Sequence, residues 1–225
     1  SLQAWKYTLK RNKILIPIFM GMTYRNYILT GIVDKISTNY DVTLLVLSDS
    51  KIKQLVEQRG IRYISLKVGF TQKVIRRVTN FVEKLQYINF YQKHKTNTMA
   101  KYIEREKKGI IFPIKNVFAF LLGQFFDNYS YLSFHYQFFI PSLIKKEIKK
   151  FDKVFLLSTD ELFDKSILKF CKINSIECTV AVHSWDNLPA RGFMADKPDK
   201  LLVWNKIMKE QAKTLHNIEN SDVYI

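Results

Sequence analysis

Short apolar runs recur along the chain between stretches whose apolar residues fall at helical spacing. Residues 12–19, 42–47, 61–68, 153–157, 176–182 and 201–204 are runs of this kind and read as buried strands, and another begins at 222–225. Pro17 is a mild objection to the first, because proline donates no ladder hydrogen bond. Residues 27–36, 52–58, 162–173 and 207–215 repeat their apolar positions with the helical period. Residues 21–26, opened by Gly21, are expected to form a turn. Ser48-Asp49-Ser50 is a helix cap, Gly60 closes the helix before it in a left-handed conformation, and Ser158-Thr159-Asp160-Glu161 signals the start of the 162–173 helix. Strands alternating with helices in this way predict an α/β fold, a Rossmann-like parallel sheet flanked by helices, in one domain over 1–225.

The rhythm breaks between residues 71 and 150, and a helical insertion is expected there. Val74, Ile75, Val78, Phe81, Val82 and Leu85 make one apolar helix face, with Lys73, Arg76, Arg77 and Lys84 off it. More helix fills 86–108, Gly109 and Pro113 interrupt, and 111–140 is dense in aromatics, including Phe118, Phe120, Phe125, Phe126, Phe138 and Phe139. Aromatics mostly fill cores, so burial is expected, with a lipid-facing surface as the alternative. Leu143, Ile144, Ile148 and Phe151 mark a further amphipathic helix whose wet side carries Lys145, Lys146, Lys149 and Lys150.

Charge sharpens the contrast between these parts. The chain of 225 residues carries +16. Residues 1–70 hold +7 of it and 71–150 hold +10, while 151–225 sum to −1. A basic face on the first two thirds suits an anionic membrane, nucleic acid or phosphorylated ligands. No apolar run approaches the roughly 20 residues needed to span a bilayer. Lys10, Arg11 and Lys13 precede an apolar stretch, but no small-residue cleavage site follows, so no secretion signal is expected. Cys171 and Cys178 suit neither a disulfide framework nor a common zinc site; they read as reduced, part-buried thiols of a cytoplasmic protein.

Candidate chemistry is sparse. With 7 glycines there is no Gly-rich phosphate loop, and His94, His135, His183 and His216 have no metal-ligand spacing, so no metal site is expected. In a parallel sheet, ligands bind beyond the carboxyl ends of the strands. That rule selects three loops: residues 21–26 with Thr23, Arg25 and Asn26, residues 158–161 with Asp160, and residues 183–188 followed by Arg191-Gly192. The last is the densest, offering a base, hydrogen-bonding groups and an indole on which a sugar can stack. Composition alone favours a structural turn there, with Asp186 and Asn187 capping backbone amides and Trp185 in the core. Asp160 likewise reads as a helix cap before a ligand contact.

The stretch His183-Ser184-Trp185-Asp186-Asn187-Leu188, then Arg191-Gly192, then Lys197-Pro198-Asp199-Lys200-Leu201-Leu202-Val203-Trp204-Asn205 resembles a segment of bacterial surface-polysaccharide transferases. Those are GT-B glycosyltransferases, and glycerophosphotransferase-like proteins share the segment type. Pro189-Ala190-Arg191 fills a spacer where small polar residues and Lys are more usual. The resemblance covers about 25 residues tightly and the rest of the chain loosely. It implies two facing Rossmann-like domains, the acceptor held by the first and a nucleotide sugar by the second. These 225 residues would supply the first, with no cofactor of its own and the donor-binding domain expected outside it. Asp186 and His183, with Asp160 behind them, would be the catalytic candidates. Ser184, Trp185, Asn187, Arg191, Lys197, Thr23, Arg25 and Asn26 would bind a saccharide or lipid-linked acceptor. The protein would then work in the cytoplasm, on the inner face of the membrane. A nucleic-acid-binding module, without any recognised motif, and a non-catalytic membrane-surface scaffold are the alternatives.

Overall fold

The computed structural model describes residues 11–125, 133–158 and 161–225. Seven strands form one all-parallel sheet in the order β3-β2-β1-β4-β5-β6-β7: β1 Lys13–Pro17, β2 Asp41–Leu47, β3 Tyr63–Leu66, β4 Lys153–Leu156, β5 Glu177–Ala181, β6 Lys200–Leu202 and β7 Val223–Tyr224. This is the doubly wound Rossmann-like order extended by one strand, and the strand sequence reverses direction between β1 and β4. Each predicted strand is present to within a few residues. Pro17 is accommodated because β1 pairs with β4 only at Ile14 and Leu15, while the next amide, Ile18 N–H, still reaches Leu45 on the β2 side. The missing donor points where no ladder bond is made.

Strand side chains alternate between two cores. Leu15, Leu45, Val154, Leu156, Cys178, Val180 and Leu201 face one layer, built with α7 (Ser142–Ile148), α8 (Leu162–Ile173) and α10 (Lys206–His216). Ile14, Ile16, Val42, Leu44 and Val46 face the other, covered by α2 (Ile32–Ser37), α3 (Lys51–Gln58) and the segment after β1. Ser50 caps α3 by accepting from Lys53 N–H at 3.3 Å, and Gly60 takes φ +66°, as the sequence leads one to expect. Cys171 and Cys178 are free and fully buried, deeper than the part-buried reading; contact with Cys171 and burial push the Cys178 thiol well above its ordinary pKa.

Residues 21–26 are not the expected turn. Helix α1 (Gly21–Thr23) runs directly into a π-helical stretch, Tyr24–Leu29, which lets Tyr24 and Ile28 both enter the second core. Such stretches are uncommon and concentrate at functional sites.

The β3-to-β4 connection is the predicted helical insertion: α4 (Phe70–His94), α5 (Asn97–Lys107), α6 (Phe112–Phe125), a 3₁₀ turn (Phe134–Phe138) and α7. Helices α4 and α6 run antiparallel, since Asn89 donates to the Ala119 carbonyl at 2.9 Å and Gln92 to that of Asn116 at 3.1 Å. A Cβ on Gly123 would overlap the Asn89 amide, so glycine permits this close approach. The apolar face of α4 is covered over only part of its length. Leu85 is buried, but Val74, Val78 and Phe81 are exposed, Val78 by 60%. The expected aromatic core is also only partial: Tyr136 and Phe139 are buried, whereas Phe118, Phe120, Phe134 and Phe138 face outward. Phe126 lies outside the described residues. Ile75 on the same helix packs against the sheet core, so periodicity identifies a stripe without saying which of its residues are covered.

Four groups anchor the insertion to the sheet layer. Lys165 on α8 is fully buried and reaches Glu83 on α4 at 2.6 Å; Tyr136 donates to the same carboxylate at 3.0 Å, and the Tyr87 hydroxyl lies 3.4 Å from Lys165 Nζ. Burial opposes the Lys165 charge, but Tyr136, Tyr87 and Glu83 outweigh it and hold the ammonium well above its ordinary pKa.

Candidate functional site

All strands are parallel, so every loop selected by the carboxyl-end rule lies on one edge of the sheet. Strands are about 4.8 Å apart, which puts the ends of β1 and β5, separated by β4, about 10 Å from each other.

On the β1 side, Thr23 is buried and Arg25 and Asn26 sit on the π-helical stretch, where Arg25 Nε donates to Asn26 Oδ1 at 3.3 Å. Ser158 lies two residues past the end of β4 and is buried; Asp160 lies outside the described residues.

The β5 end is the better-built half. His183 is 8% exposed, and its Nδ1 is buried without a hydrogen-bond partner among the described residues. Ser184 donates through its hydroxyl to Asp186 Oδ1 at 2.7 Å. Asp186 stands at the head of the short helix α9 (Asn187–Ala190) but makes no side-chain cap, so the capping expected from composition is not its role. Its second carboxylate oxygen has no protein donor among the described residues. Trp185, expected in the core on the structural reading, is 68% exposed. Asn187 is buried, its backbone N–H donating to the Ser184 carbonyl at 3.1 Å, and Arg191 is exposed just past the helix.

Trp204 was not among the sequence candidates and belongs here. It follows β6 at the neighbouring strand end, is 66% exposed, and its indole N–H donates to the Val182 carbonyl at 2.8 Å. The carboxyl-end rule, applied to β6 as it was to β5, would have found it. Two exposed indoles thus stand at adjacent strand ends, and such rings are broad apolar platforms with one polar edge. Asn205 next to it is structural, capping α10 through Met208 N–H at 2.9 Å.

The loop is held from behind. Thr96 and Thr98 hydroxyls both donate to the Pro189 carbonyl, at 2.8 and 2.9 Å, and buried His216 Nε2 bonds the Leu188 carbonyl at 2.8 Å. Burial holds the His216 pKa down at about 4, the Leu188 bond opposing and His94 adding to the shift. Gly192 has φ +70°, and a Cβ there would overlap the Tyr87 ring, so both backbone and packing require glycine.

Lys197 is not at this edge. It lines a separate cavity of about 340 Å³ with Lys93, His94, Asp196 and Lys213, and Asp196 pairs with Lys169 at 2.8 Å. Asp199 accepts from Cys178 N–H at 2.7 Å, at the amino end of β5. The Lys-Pro-Asp lead therefore carries the chain back across the sheet. No group of three or more potential metal ligands occurs among the described residues.

Fold and edge geometry define a Rossmann-like α/β protein with a polar, tryptophan-flanked loop at the carboxyl end of its central strands. Comparison with protein families, curated proteins and solved structures finds no match to this chain.

Proposed function

We propose that this chain is the acceptor-binding domain of a sugar transferase acting in surface-polysaccharide or glycolipid synthesis. The observation that carries the reading is the β5 edge: a buried imidazole with an unpartnered nitrogen, a carboxylate positioned by Ser184, and two exposed indoles from adjacent strands. Saccharide acceptors present hydroxyls for in-plane hydrogen bonds and apolar ring faces for stacking, and this set answers both.

In the proposed reaction an acceptor hydroxyl stacked near Trp185 and Trp204 loses its proton to Asp186, with His183 as the second basic group. The oxygen then bonds the anomeric carbon of the donor sugar, and that carbon's bond to the nucleotide phosphate breaks, the electron pair leaving with the phosphate. The nucleotide sugar would be held by a further domain, since no Gly-rich phosphate loop follows β1. Arg25 and Arg191 are placed for the acidic part of a lipid-linked acceptor.

Transfer from a panel of radiolabelled nucleotide sugars to a polyprenyl-diphosphate-linked saccharide, measured on the protein carrying its donor domain, tests this. Asp186→Ala is expected to lower turnover by about 10²–10⁴ if the carboxylate is the base, with the melting temperature unchanged. A loss of less than about tenfold rejects Asp186 as the base. Transfer by the 225 residues alone would reject the domain assignment.

A further inference from the structure

We infer that the helical insertion docks on an anionic lipid surface through apolar side chains that α4 and α6 turn away from the protein. Helix α6 is amphipathic in the inverted sense. It buries Ala119 against α4 and exposes Ile114, Val117, Phe118 and Leu121, which are spaced i, i+3, i+4, i+7 and so form one stripe. The turn leading into it adds Ile110, 98% exposed, and Ile111. On α4, Phe70, Val74, Val78 and Phe81 repeat the pattern. Scattered exposed apolar residues are ordinary, but two solvent-facing stripes on packed helices mark an interaction surface.

Charge selects the occupant. Exposed Lys73, Arg76 and Arg77 lie on the same turns of α4, off its apolar stripe, and Lys107 and Lys108 precede Ile110; none has an ion-pair partner among the described residues. The insertion's acids are mostly spent internally: Glu83 on Lys165, Glu106 on Lys84 and Lys115, Glu147 on Lys150. The insertion thus combines exposed apolar stripes with exposed cations on the same helices, the combination that lies in a lipid interface. A second copy of the chain would oppose the same unpaired cations. Nucleic acid would satisfy the cations but leave the aliphatic stripe of Ile110, Ile111, Ile114 and Leu121 unused. No described helix is long and apolar enough to cross a membrane, so the insertion lies on the surface. The inference stands on these exposures and charges, independently of the sugar-transfer reading.

Cosedimentation with phosphatidylcholine vesicles, with and without phosphatidylglycerol, provides the test. Binding is expected only with phosphatidylglycerol and weakens as salt is raised. The triple substitution Ile114→Asp, Phe118→Asp, Leu121→Asp and the double substitution Arg76→Glu, Arg77→Glu should each weaken it about tenfold or more. Ile207→Asp, an equally exposed site on α10, should leave it unchanged. All these side chains are exposed, so every variant is expected to keep the wild-type melting temperature. Absence of binding, or full binding by the triple variant, overturns the inference. So does concentration-dependent dimerisation lost in the triple variant while vesicle binding persists, or a DNA duplex that competes the protein off vesicles only through the arginines.

Discussion

The Thr96 hydroxyl, at the start of α5, donates to the Pro189 carbonyl at 2.8 Å across 93 residues of sequence, and Thr98 donates to the same oxygen at 2.9 Å. The insertion and the β5 loop are therefore one mechanical unit: whatever positions the insertion also positions the backbone behind Asp186. Because one carbonyl serves two donors, either threonine alone should be dispensable. Thr96→Val with Thr98→Val is expected to cost about 1–2 kcal/mol, read by denaturant unfolding. Hydrogen exchange should quicken at residues 187–191. An unchanged exchange rate there would show that the clamp does not hold the loop.

Gly192→Ala should destabilise by more than about 2 kcal/mol, because it adds left-handed strain to overlap with a ring. The two causes separate in a double mutant. Tyr87→Ala should recover the overlap part and leave the strain, so the paired changes are expected to be non-additive in unfolding free energy. Simple additivity would mean that Tyr87 already yields to the new methyl.

The Lys165–Glu83 pair is buried, and removing only Glu83 strands a charge. Glu83→Ala is expected to cost about 3–5 kcal/mol, whereas Glu83→Leu with Lys165→Met should cost much less. The ammonium's pKa is raised in the folded protein. Its contribution is thus fully present below the ordinary lysine value of 10.5 and is lost only as pH climbs through the raised one. Unfolding curves of the two variants at pH 7 decide whether the pair or its packing matters.

His216 predicts the acid side. Its pKa lies near 4 in the folded chain against 6.5 when unfolded, so between these values the unfolded state binds the extra proton. Stability is complete above pH 6.5 and falls as pH drops towards 4. Wild type should lose about 2–3 kcal/mol more than His216→Gln between neutral pH and the lower end of that window. Equal losses would place the titration elsewhere.

Much of this protein is written locally. Apolar runs of strand length, separated by helical periods, determined the parallel sheet, because both patterns follow from backbone geometry. The position of residues 183–188 at a strand's carboxyl end followed from that alternation. The choice between turn cap and site group for Asp186 did not, since both use the same residue in the same place; the structure adds that its carboxylate accepts from Ser184 and caps no helix. Nor could the Val74–Phe81 stripe be assigned a side. A helical period states that apolar residues share a face, while burial depends on what the remaining chain lays against it; here Ile75 meets the sheet core and Val74, Val78 and Phe81 stay exposed. The need for glycine at 192 and the hold on Pro189 come from Tyr87, Thr96 and Thr98, some 90 to 105 residues away in sequence. Contacts of that separation exist only once the insertion has folded back against α9, so the local sequence has no means of recording them.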